Sequence, residues 1–301
     1  MSGWLWVLAT LIAAAAQTAR NVTQQGLTRQ IGTLGATQVR FVFGLPFAVV
    51  FLGLMVWATG ESVPELTTAS LGYAALGAVA QIAATALMLV TMKSRSFAVT
   101  TAWIKTEPVM VAVIAAVTIG DALTVAKFAA IVVATSGVVI LSTKPDTARL
   151  MLRDLGPAAT GLLAGLFFGL AAIGFRGGIL GLPEGGFLIR ASTILVVSLA
   201  IQAGLLLVWL ALFDRRALIA SFGVWRSSLS AGFLGAFASQ FWFIGFALTT
   251  AANVRTLALV EVIMALAVSR YGLRQTVTTR QKVGIAVIVL GVGLLLTAQR
   301  P

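Results

Sequence analysis

Residues 105–109 read Lys-Thr-Glu-Pro-Val, and residues 259–263 read Leu-Val-Glu-Val-Ile, which places two glutamates 154 positions apart. Each glutamate lies inside a longer apolar stretch, residues 97–119 in the first case and 251–271 in the second. A helix that spans a membrane needs about 20 mostly apolar residues, and both stretches have that length. They therefore predict two related transmembrane helices, each with a carboxylate at depth.

The likeness extends to both sides of the two glutamates. Gly137 matches Gly291 at the same offset of 154. Earlier in each half, Gln-Val-Arg-Phe at 38–41 resembles Leu-Ile-Arg-Ala at 188–191, which brings two arginines into similar places. A chance match of apolar sequence would rarely put both the carboxylates and the arginines in register. The pattern therefore predicts an internal repeat.

The whole chain is too apolar for a water-soluble domain. Of its 301 residues, 59% are hydrophobic and 10% are charged, with a mean hydropathy of +1.01, whereas soluble domains carry about 25% charged residues. The sequence therefore predicts an all-α integral membrane protein with ten transmembrane helices. Their predicted spans are 3–25, 33–58, 69–92, 97–119, 124–142, 155–178, 187–213, 228–248, 251–271 and 281–298.

These ten helices divide at the longest loop. The predicted domains are a first five-helix repeat at 1–143, a cytoplasmic linker at 144–154 and a second five-helix repeat at 155–301. An odd number of helices in each half places the two copies in opposite orientations across the membrane. Inverted repeats of this kind are typical of secondary transporters, whose substrate site lies near the membrane midplane between the repeats. A central cavity between the two repeats is therefore expected.

The basic residues predict the orientation, because cytoplasmic loops carry an excess of Lys and Arg. The odd-numbered loops hold fourteen basic residues, whereas the even-numbered loops and the termini hold two, Lys127 and Arg300. Both termini are therefore predicted to lie outside the cytoplasm of a multi-pass protein of the bacterial inner membrane. The fourteen are Arg20, Arg29, Lys93, Arg95, Lys144, Arg149, Arg153, Arg215, Arg216, Arg226, Arg270, Arg274, Arg280 and Lys282.

Several function classes are excluded by what the sequence lacks. It contains no histidine and no cysteine, which rules out Ser–His–Asp triads, histidine zinc sites, thiol nucleophiles and disulfides. No G-x-x-x-x-G-K-[ST] loop is present, so direct use of ATP is not predicted. The net charge of +12 is distributed between apolar stretches rather than in one basic patch, so no nucleic-acid partner is expected. No cofactor, metal or enzymatic activity is predicted.

At this point the chain resembles a known family, the EamA type of the drug/metabolite transporter superfamily. Arg40 is similar to the arginine of that family's "LRF" motif. Residues 106–109, Thr-Glu-Pro-Val, followed by Ile-Gly-Asp-Ala-Leu-Thr at 119–124, are similar to its "EPV…LGExLT" pattern, and Phe-Gly at 168–169 followed by Arg176 resembles "WG…K". The resemblance implies ten helices in two inverted five-helix repeats, and many bacterial members export amino acids or other small metabolites.

Glu107 and Glu261 are the two carboxylates predicted at membrane depth, where ionisable groups are costly and are functional candidates by default. One interpretation is proton coupling, in which each carboxylate alternates between charged and neutral forms. The other is a static pair with Lys105, Arg255 or a backbone group. Pro108 favours a kink beside Glu107, whereas Val262 gives no reason for one beside Glu261.

Five basic residues remain once those of the loops, the span ends and the termini have been assigned: Arg40, Lys105, Arg176, Arg190 and Arg255. Arg40 and Arg190 lie near the entrances of their helices and could hold an anionic group, because a guanidinium offers two parallel hydrogen bonds to a carboxylate. The alternative is that they reach to lipid headgroups or fasten helices together. Arg176 and Arg255 are ambiguous in the same way.

A polar stripe on the first helix is expected to line a cavity open to the cytoplasm or to pack on another helix, since four side chains follow the helical spacing i, i+3, i+4, i+7. Further neutral side chains could donate or accept hydrogen bonds in the candidate site, and two tryptophans could form its apolar walls. The alternative is that these side chains only join neighbouring helices. Small residues in the sixth span predict close helix packing. The stripe is Gln17, Arg20, Asn21 and Gln24. The other groups are Gln81 with Thr85, Ser239 with Gln240, Trp103 and Trp242, and the small residues are Gly161, Gly165 and Gly169.

The function hypothesis from these features is a secondary transporter, an exporter of small polar metabolites with amino acids favoured, that works by alternating access. A facilitative or proton-coupled carrier of drugs, sugars or nucleosides is the alternative, and a membrane enzyme for lipid or isoprenoid substrates is a third. The expected partners are a small-molecule substrate, membrane lipids and, in the coupled case, protons. Both a monomer and a homodimer fit the sequence.

The orientation prediction is tested by reporters fused to the C-terminus. We expect alkaline phosphatase to be active there and green fluorescent protein to be dark, because both termini are predicted outside the cytoplasm. A fusion to the loop that contains Lys144 is the control and should give the opposite pattern. Fluorescence at the C-terminus would overturn the loop assignment.

Overall fold

The computed structural model describes residues 2–94, 103–142, 155–273 and 278–298, and all regular structure within them is helical. A single 3₁₀ turn at Ser2–Trp4 precedes twelve α-helices in this part of the chain. They are α1 Leu5–Val42, α2 Leu45–Thr59, α3 Thr68–Ser94, α4 Glu107–Thr118, α5 Val125–Ser142, α6 Leu155–Leu180, α7 Phe187–Phe213, α8 Arg215–Gly223, α9 Trp225–Leu248, α10 Ala251–Leu257, α11 Val260–Leu273 and α12 Thr279–Thr297.

Seven helical segments of the described chain are long and apolar enough to cross a membrane, which confirms the all-α membrane class. They match the second, third, fifth, sixth, seventh, eighth and tenth predicted spans. The count of ten stays a prediction, because the first predicted span is the start of α1 and the fourth and ninth are interrupted. The seven segments are Gly35–Thr59, Thr68–Met88, Val125–Ser142, Ala159–Leu180, Phe187–Phe213, Trp225–Leu248 and Thr279–Thr297.

The boundary between the first two predicted spans is marked by a kink at Gly32 (φ 74°, ψ 173°), which divides α1, Leu5–Val42, into two helical pieces. The kink lies within the loop expected between the spans 3–25 and 33–58, although the backbone stays helical up to it. A further turn comes at Phe43–Gly44, inside the second span, and α2 then begins with Pro46 in its first turn. A methyl group on Gly44 would lie 2.3 Å from the Arg40 carbonyl oxygen, so this tight turn requires glycine. The chain therefore turns at Gly44, two residues before Pro46.

The fourth and ninth segments are both broken just before their glutamates. A turn at Lys105–Thr106 precedes α4, and a turn at Ala258–Leu259 separates α10 from α11. The second break corrects the expectation that only the proline-containing segment would bend. At this break, backbone N–H groups bond to the carbonyl three residues earlier, as in Leu259 N–H to Thr256 O and Glu261 N–H to Ala258 O. Such bonds tighten the chain as in a 3₁₀ helix and need no proline.

The chain forms two compact units, each of which draws segments from both halves of the sequence. One consists of Met1–Ala78 and Gly174–Thr249, and the other of Val79–Ile173 and Thr250–Pro301. The predicted repeats, 1–143 and 155–301, describe a symmetry of the sequence, whereas the compact units describe which segments pack together. The repeats therefore stay a prediction. The predicted linker at 144–154 lies outside the described residues.

The first unit is built on the packing of α1 and α2 against α9. Gly232 of α9 lies against the backbone at Phe43, where an added methyl group would come within 2.6 Å of the Phe43 carbonyl carbon. Phe47 of α2 meets Phe233 of α9 edge to face, with ring centroids 5.4 Å apart. Because lipid tails are as apolar as the helices, association in the membrane depends on close contacts of this kind. The short helix α8, which the sequence did not predict, packs beside α1 through Gln38, whose amide donates to Ser221.

The second unit brings the backbones of α5 and α12 together through glycines at matching repeat positions. A methyl group on Gly137 would lie 2.6 Å from Ile288 N, and one on Gly291 would lie 2.3 Å from Ala134 N. In the same unit the small residues of α6 pack on the segment that carries Lys105 and Glu107, as described below. The close packing predicted for the sixth span is therefore observed.

We expect Gly291→Ala to destabilise the protein and Gly293→Ala to leave it unchanged or slightly more stable. The added methyl group at position 291 forces α5 and α12 apart, at a cost of about 1–3 kcal/mol. At position 293, by contrast, an added methyl group would have no atom within 4 Å apart from the nearby backbone of its own helix. Replacing glycine by alanine stabilises a helix by about 1 kcal/mol. Thermal unfolding of the two purified variants in detergent measures the difference, and equal Tm values would contradict the backbone contact.

Candidate functional site

The most deeply buried charge of the described chain is the carboxylate of Glu107, the first residue of α4. Arg255 of α10 binds it with two hydrogen bonds, Nε to Oε1 at 2.5 Å and Nη2 to Oε2 at 2.7 Å. The Glu107 side chain is 2% exposed and that of Arg255 is 16% exposed. This is the two-pronged arrangement in which the guanidinium plane matches the carboxylate, and it is the strongest form of a side-chain ion pair.

The second carboxylate, Glu261 at the start of α11, is paired with Lys105. The Lys105 ammonium lies 3.2 Å from Glu261 Oε2, and the two side chains are 16% and 11% exposed. Each ion pair therefore joins a residue from the first half of the sequence to one from the second half. The bases do not occupy equivalent positions, because an offset of 154 from Lys105 leads to Leu259.

Together the four side chains carry no net charge. Neutralisation of this kind is what allows ionised groups to remain at membrane depth. Pairing with Lys105 and Arg255 was the alternative to proton coupling raised by the sequence, and the structure contains it. Whether the carboxylates also exchange protons stays a prediction.

The helix breaks place these charges at favourable helix ends. Glu107 lies in the first turn of α4 and Glu261 in the first turn of α11, whereas Arg255 lies in the last turn of α10. Carboxylates are stabilised at helix N-termini and cations at C-termini by the helix dipole. A continuous helix would have put both glutamates in mid-helix, without this stabilisation. The breaks are thus part of how the site holds charge.

The glycines of α6 bring its backbone against the charged segment before and within α4. Methyl groups on Gly161 and Gly165 would lie 2.7 Å from Trp103 Cβ and 3.0 Å from the Ile104 carbonyl oxygen. One on Gly169 would lie 3.8 Å from Glu107 Cγ. Trp103 therefore packs on α6 and is only half-buried, and its role as a cavity wall stays a prediction.

The polar stripe of α1 lies in the other compact unit and makes contact with α9. Trp242 of α9 donates its indole N–H to Gln17 Oε1 at 3.1 Å, so two predicted site residues are brought together. Arg20 is buried and donates to the exposed Asn21 at 2.8 Å. The side chain of Gln24 lies outside the described part of the chain. Helix packing, the alternative role for this stripe, therefore accounts for Gln17.

Arg190 and Arg176 bind backbone carbonyls at helix ends. Arg190 donates to Leu180 O and Leu182 O at the end of α6, and Arg176 donates to Phe246 O and Thr249 O at the end of α9. The last carbonyls of a helix have no partner within it, and arginine side chains commonly satisfy them. Of the two roles proposed for Arg190, helix fastening is the one that its contacts support.

The remaining predicted groups fall in several places. Arg40 lies over the Phe41 ring, with its guanidinium carbon 5.1 Å from the centroid. Gln240 is buried and donates to Ser192 Oγ at 2.8 Å, a partner that sequence reasoning missed because a lone serine in an apolar helix gives no signal. Within α3, the Thr85 hydroxyl donates to the backbone carbonyl of Gln81.

Among the described residues, no group of three or more His, Cys, Asp or Glu side chains could hold a metal ion. The arrangement of Lys105, Glu107, Arg255 and Glu261 is instead suited to recognise charged or zwitterionic groups by exchange of ion pairs. It offers two anionic and two cationic groups on segments whose helices are already interrupted. This combination of broken helices and polar groups at depth is characteristic of transporter binding sites.

In comparison with known proteins, a family model matches most of the second half of the chain, and a solved structure is similar in fold over nearly the whole chain. The family model described as the EamA-like transporter family matches residues 156–297. One solved protein structure is similar with a TM-score of 0.68 and covers 98% of this chain and 97% of the other chain, at 12% sequence identity; this likeness concerns the fold alone. No curated protein matches.

The ion pair of Glu107 and Arg255 generates a prediction about stability. We expect Arg255→Met to destabilise the protein by about 3–5 kcal/mol, because it leaves the Glu107 carboxylate buried without its partner. The double variant Arg255→Met with Glu107→Met should be closer to wild type, since both charges are removed together. Thermal unfolding in detergent measures both variants, and a double variant less stable than the single one would contradict the pairing.

Proposed function

We propose that this protein is a secondary transporter of small polar metabolites in a bacterial inner membrane. The match of residues 156–297 to the model of the EamA-like transporter family supports a membrane transporter of the drug/metabolite type. The finer proposal is export of a solute, with amino acids favoured. It draws on the family resemblance of the motifs around Arg40 and Glu107 for the solute class.

The observation that carries the proposal is the group of two ion pairs at the breaks before α4 and α11. Lys105 with Glu261 and Arg255 with Glu107 provide charges of both signs on interrupted helices. A polar solute that enters a membrane protein must exchange its hydration for such groups, because hydrocarbon offers none. Breaks in the helices give the backbone freedom to rearrange when the solute binds and leaves.

Alternating access follows from the repeat if the two halves rock about the site. The offset of 154 relates Glu107 to Glu261 and Gly137 to Gly291, and the breaks in the fourth and ninth segments lie one residue from the same offset. Inverted repeats with related structures can exchange conformations and so open the site to each side in turn. We propose ten helices in two inverted repeats, with both termini outside the cytoplasm, on this basis.

A proton-coupled carrier and a facilitative one remain two forms of the same proposal. In the coupled form, protonation of Glu107 or Glu261 weakens an ion pair and favours one conformation. In the facilitative form, the solute gradient alone drives transport. Drugs, sugars and nucleosides are the alternative solutes.

A membrane enzyme for lipid or isoprenoid substrates is a weaker candidate. Such an enzyme needs several acidic groups together at one membrane face. Within the described residues, Asp214 accepts a hydrogen bond from Ala217 N–H and caps α8, which is a structural role. Asp146 and Asp154 lie outside the described chain.

Transport is tested by counterflow of labelled solutes in proteoliposomes, with amino acids first and with and without an imposed pH gradient. We expect saturable uptake of at least one amino acid by wild type, and its loss in Glu107→Gln, because that change leaves Arg255 without its ionised partner. Glu184→Gln is the matched control, since this carboxylate is exposed in the loop between α6 and α7, and it should retain transport.

Uptake that responds to the pH gradient would favour the coupled form, and uptake that ignores it would favour the facilitative one. If folded wild-type protein exchanges no amino acid, that solute class is wrong and the panel moves to sugars, nucleosides and cationic drugs. A failure with every class would overturn the transporter proposal.

A further inference from the structure

The two ion pairs of the site are unequal in geometry and burial. Glu107 receives two hydrogen bonds from one guanidinium, and its side chain is almost completely buried. Glu261 is paired with an ammonium group at 3.2 Å, and both partners keep more than a tenth of their side-chain surface exposed. The two pairs therefore differ in the type of base and in how far other molecules can reach them.

Arginine and lysine also behave differently once paired. The planar guanidinium is pre-organised for two parallel bonds, so breaking it away from Glu107 loses both at once and leaves a buried charge. The ammonium of Lys105 is a compact charge on a flexible stem, and it can turn to a new anion without loss of fixed geometry. Of the two pairs, Lys105 with Glu261 is therefore the one that can open at the lower cost.

We propose that Lys105 and Glu261 form the exchangeable pair, which opens to bind a zwitterionic solute, while Glu107 and Arg255 stay paired as a fixed support. The inference rests on the proposed transport function and deepens it. The ammonium of Lys105 binds the anionic group of the solute, and the carboxylate of Glu261 binds its cationic group. Lys105 and Glu261 are thereby the specificity-determining residues of the site.

Charge balance explains why both solute groups are needed. The closed site is neutral, with two charges of each sign, and a zwitterion that enters between Lys105 and Glu261 leaves it neutral. A solute with only a carboxylate adds one negative charge to these four side chains when it takes Lys105 from Glu261. A solute with only an amine adds one positive charge when it takes Glu261 from Lys105. Each single-charge solute therefore gives the group a net charge, which is costly at membrane depth.

The positions of the two residues in the fold fit this exchange. Lys105 lies in the turn just before α4, and Glu261 lies in the first turn of α11, directly after the Ala258–Leu259 break. Both sit where local hydrogen bonding is already irregular, so a small backbone shift can separate them.

The test measures counterflow of one labelled, transported zwitterion in the presence of unlabelled competitors. The competitors are the same zwitterion, the amine that lacks its carboxylate and the acid that lacks its amino group. For wild type we expect the zwitterion to compete better than either analogue by about tenfold or more, the equivalent of one lost charge interaction. In Lys105→Gln the zwitterion should no longer compete better than the amine, because the group that binds the solute carboxylate is gone. In Glu261→Gln the zwitterion should no longer compete better than the acid, because the group that binds the solute amine is gone. Each variant should leave the other preference largely in place.

A second measurement uses the natural absence of cysteine in the chain. In a Glu261→Cys variant, the new thiol should react with an anionic methanethiosulfonate reagent, and the transported zwitterion should slow this reaction. Glu107→Cys is the matched control and should react at least tenfold more slowly, because position 107 is buried against Arg255 and α6. If Glu107→Cys does not fold, protection of the Glu261→Cys thiol by the solute still decides the matter.

The outcomes separate this inference from the transport function. If wild type exchanges solute but Lys105→Gln and Glu261→Gln keep the wild-type order of zwitterion, amine and acid, the exchangeable-pair inference is wrong and the function stands. Equal labelling at 107 and 261 without protection by solute would overturn it in the same way. If wild type exchanges no solute at all, the proposed function fails first.

Discussion

The structure depends on one constraint, that an ionised side chain at membrane depth must find an opposite charge and its hydrogen bonds inside the protein. Four charged residues meet this constraint as two pairs, and the backbone is arranged around them. The chain breaks before α4 and before α11, which places each glutamate at the positive end of a helix dipole. The glycines of α6 then let its backbone approach the segment that carries Lys105 and Glu107.

Two kinds of arginine follow from the same constraint. Arg255 neutralises a carboxylate, whereas Arg176 and Arg190 satisfy the carbonyls that two helices leave unbonded at their ends. Lipid cannot supply those hydrogen bonds, so a long cationic side chain replaces the water that would do so in a soluble protein. The resulting arrangement has fixed parts at the helix ends and at Glu107, and one looser ion pair in the same site.

The sequence predicted the helical class and seven of the spans, because apolar length is a strong signal. It offered Lys105 and Arg255 as partners of the glutamates only as the alternative to proton coupling, without saying which base pairs with which. It expected a loop over residues 26–32, whereas the backbone there stays helical up to a kink at Gly32. It also missed the turn at Ala258–Leu259, because hydrogen bonds to the carbonyl three residues earlier can form there without a proline to mark the position. The contact of Gln240 with Ser192 could not be predicted, since helix rotation decides it and the apolar pattern of α7 does not specify rotation.

The crossed pairing has a consequence for how the protein is made. The first half reaches the membrane with Lys105 and Glu107 only two positions apart, one charge of each sign. The second half brings Arg255 and Glu261, again one of each sign and close in sequence. Neither ion pair can form before the ninth segment has been synthesised, because Arg255 and Glu261 both lie in it. The charges of the first half therefore meet their partners only when most of the chain has been made.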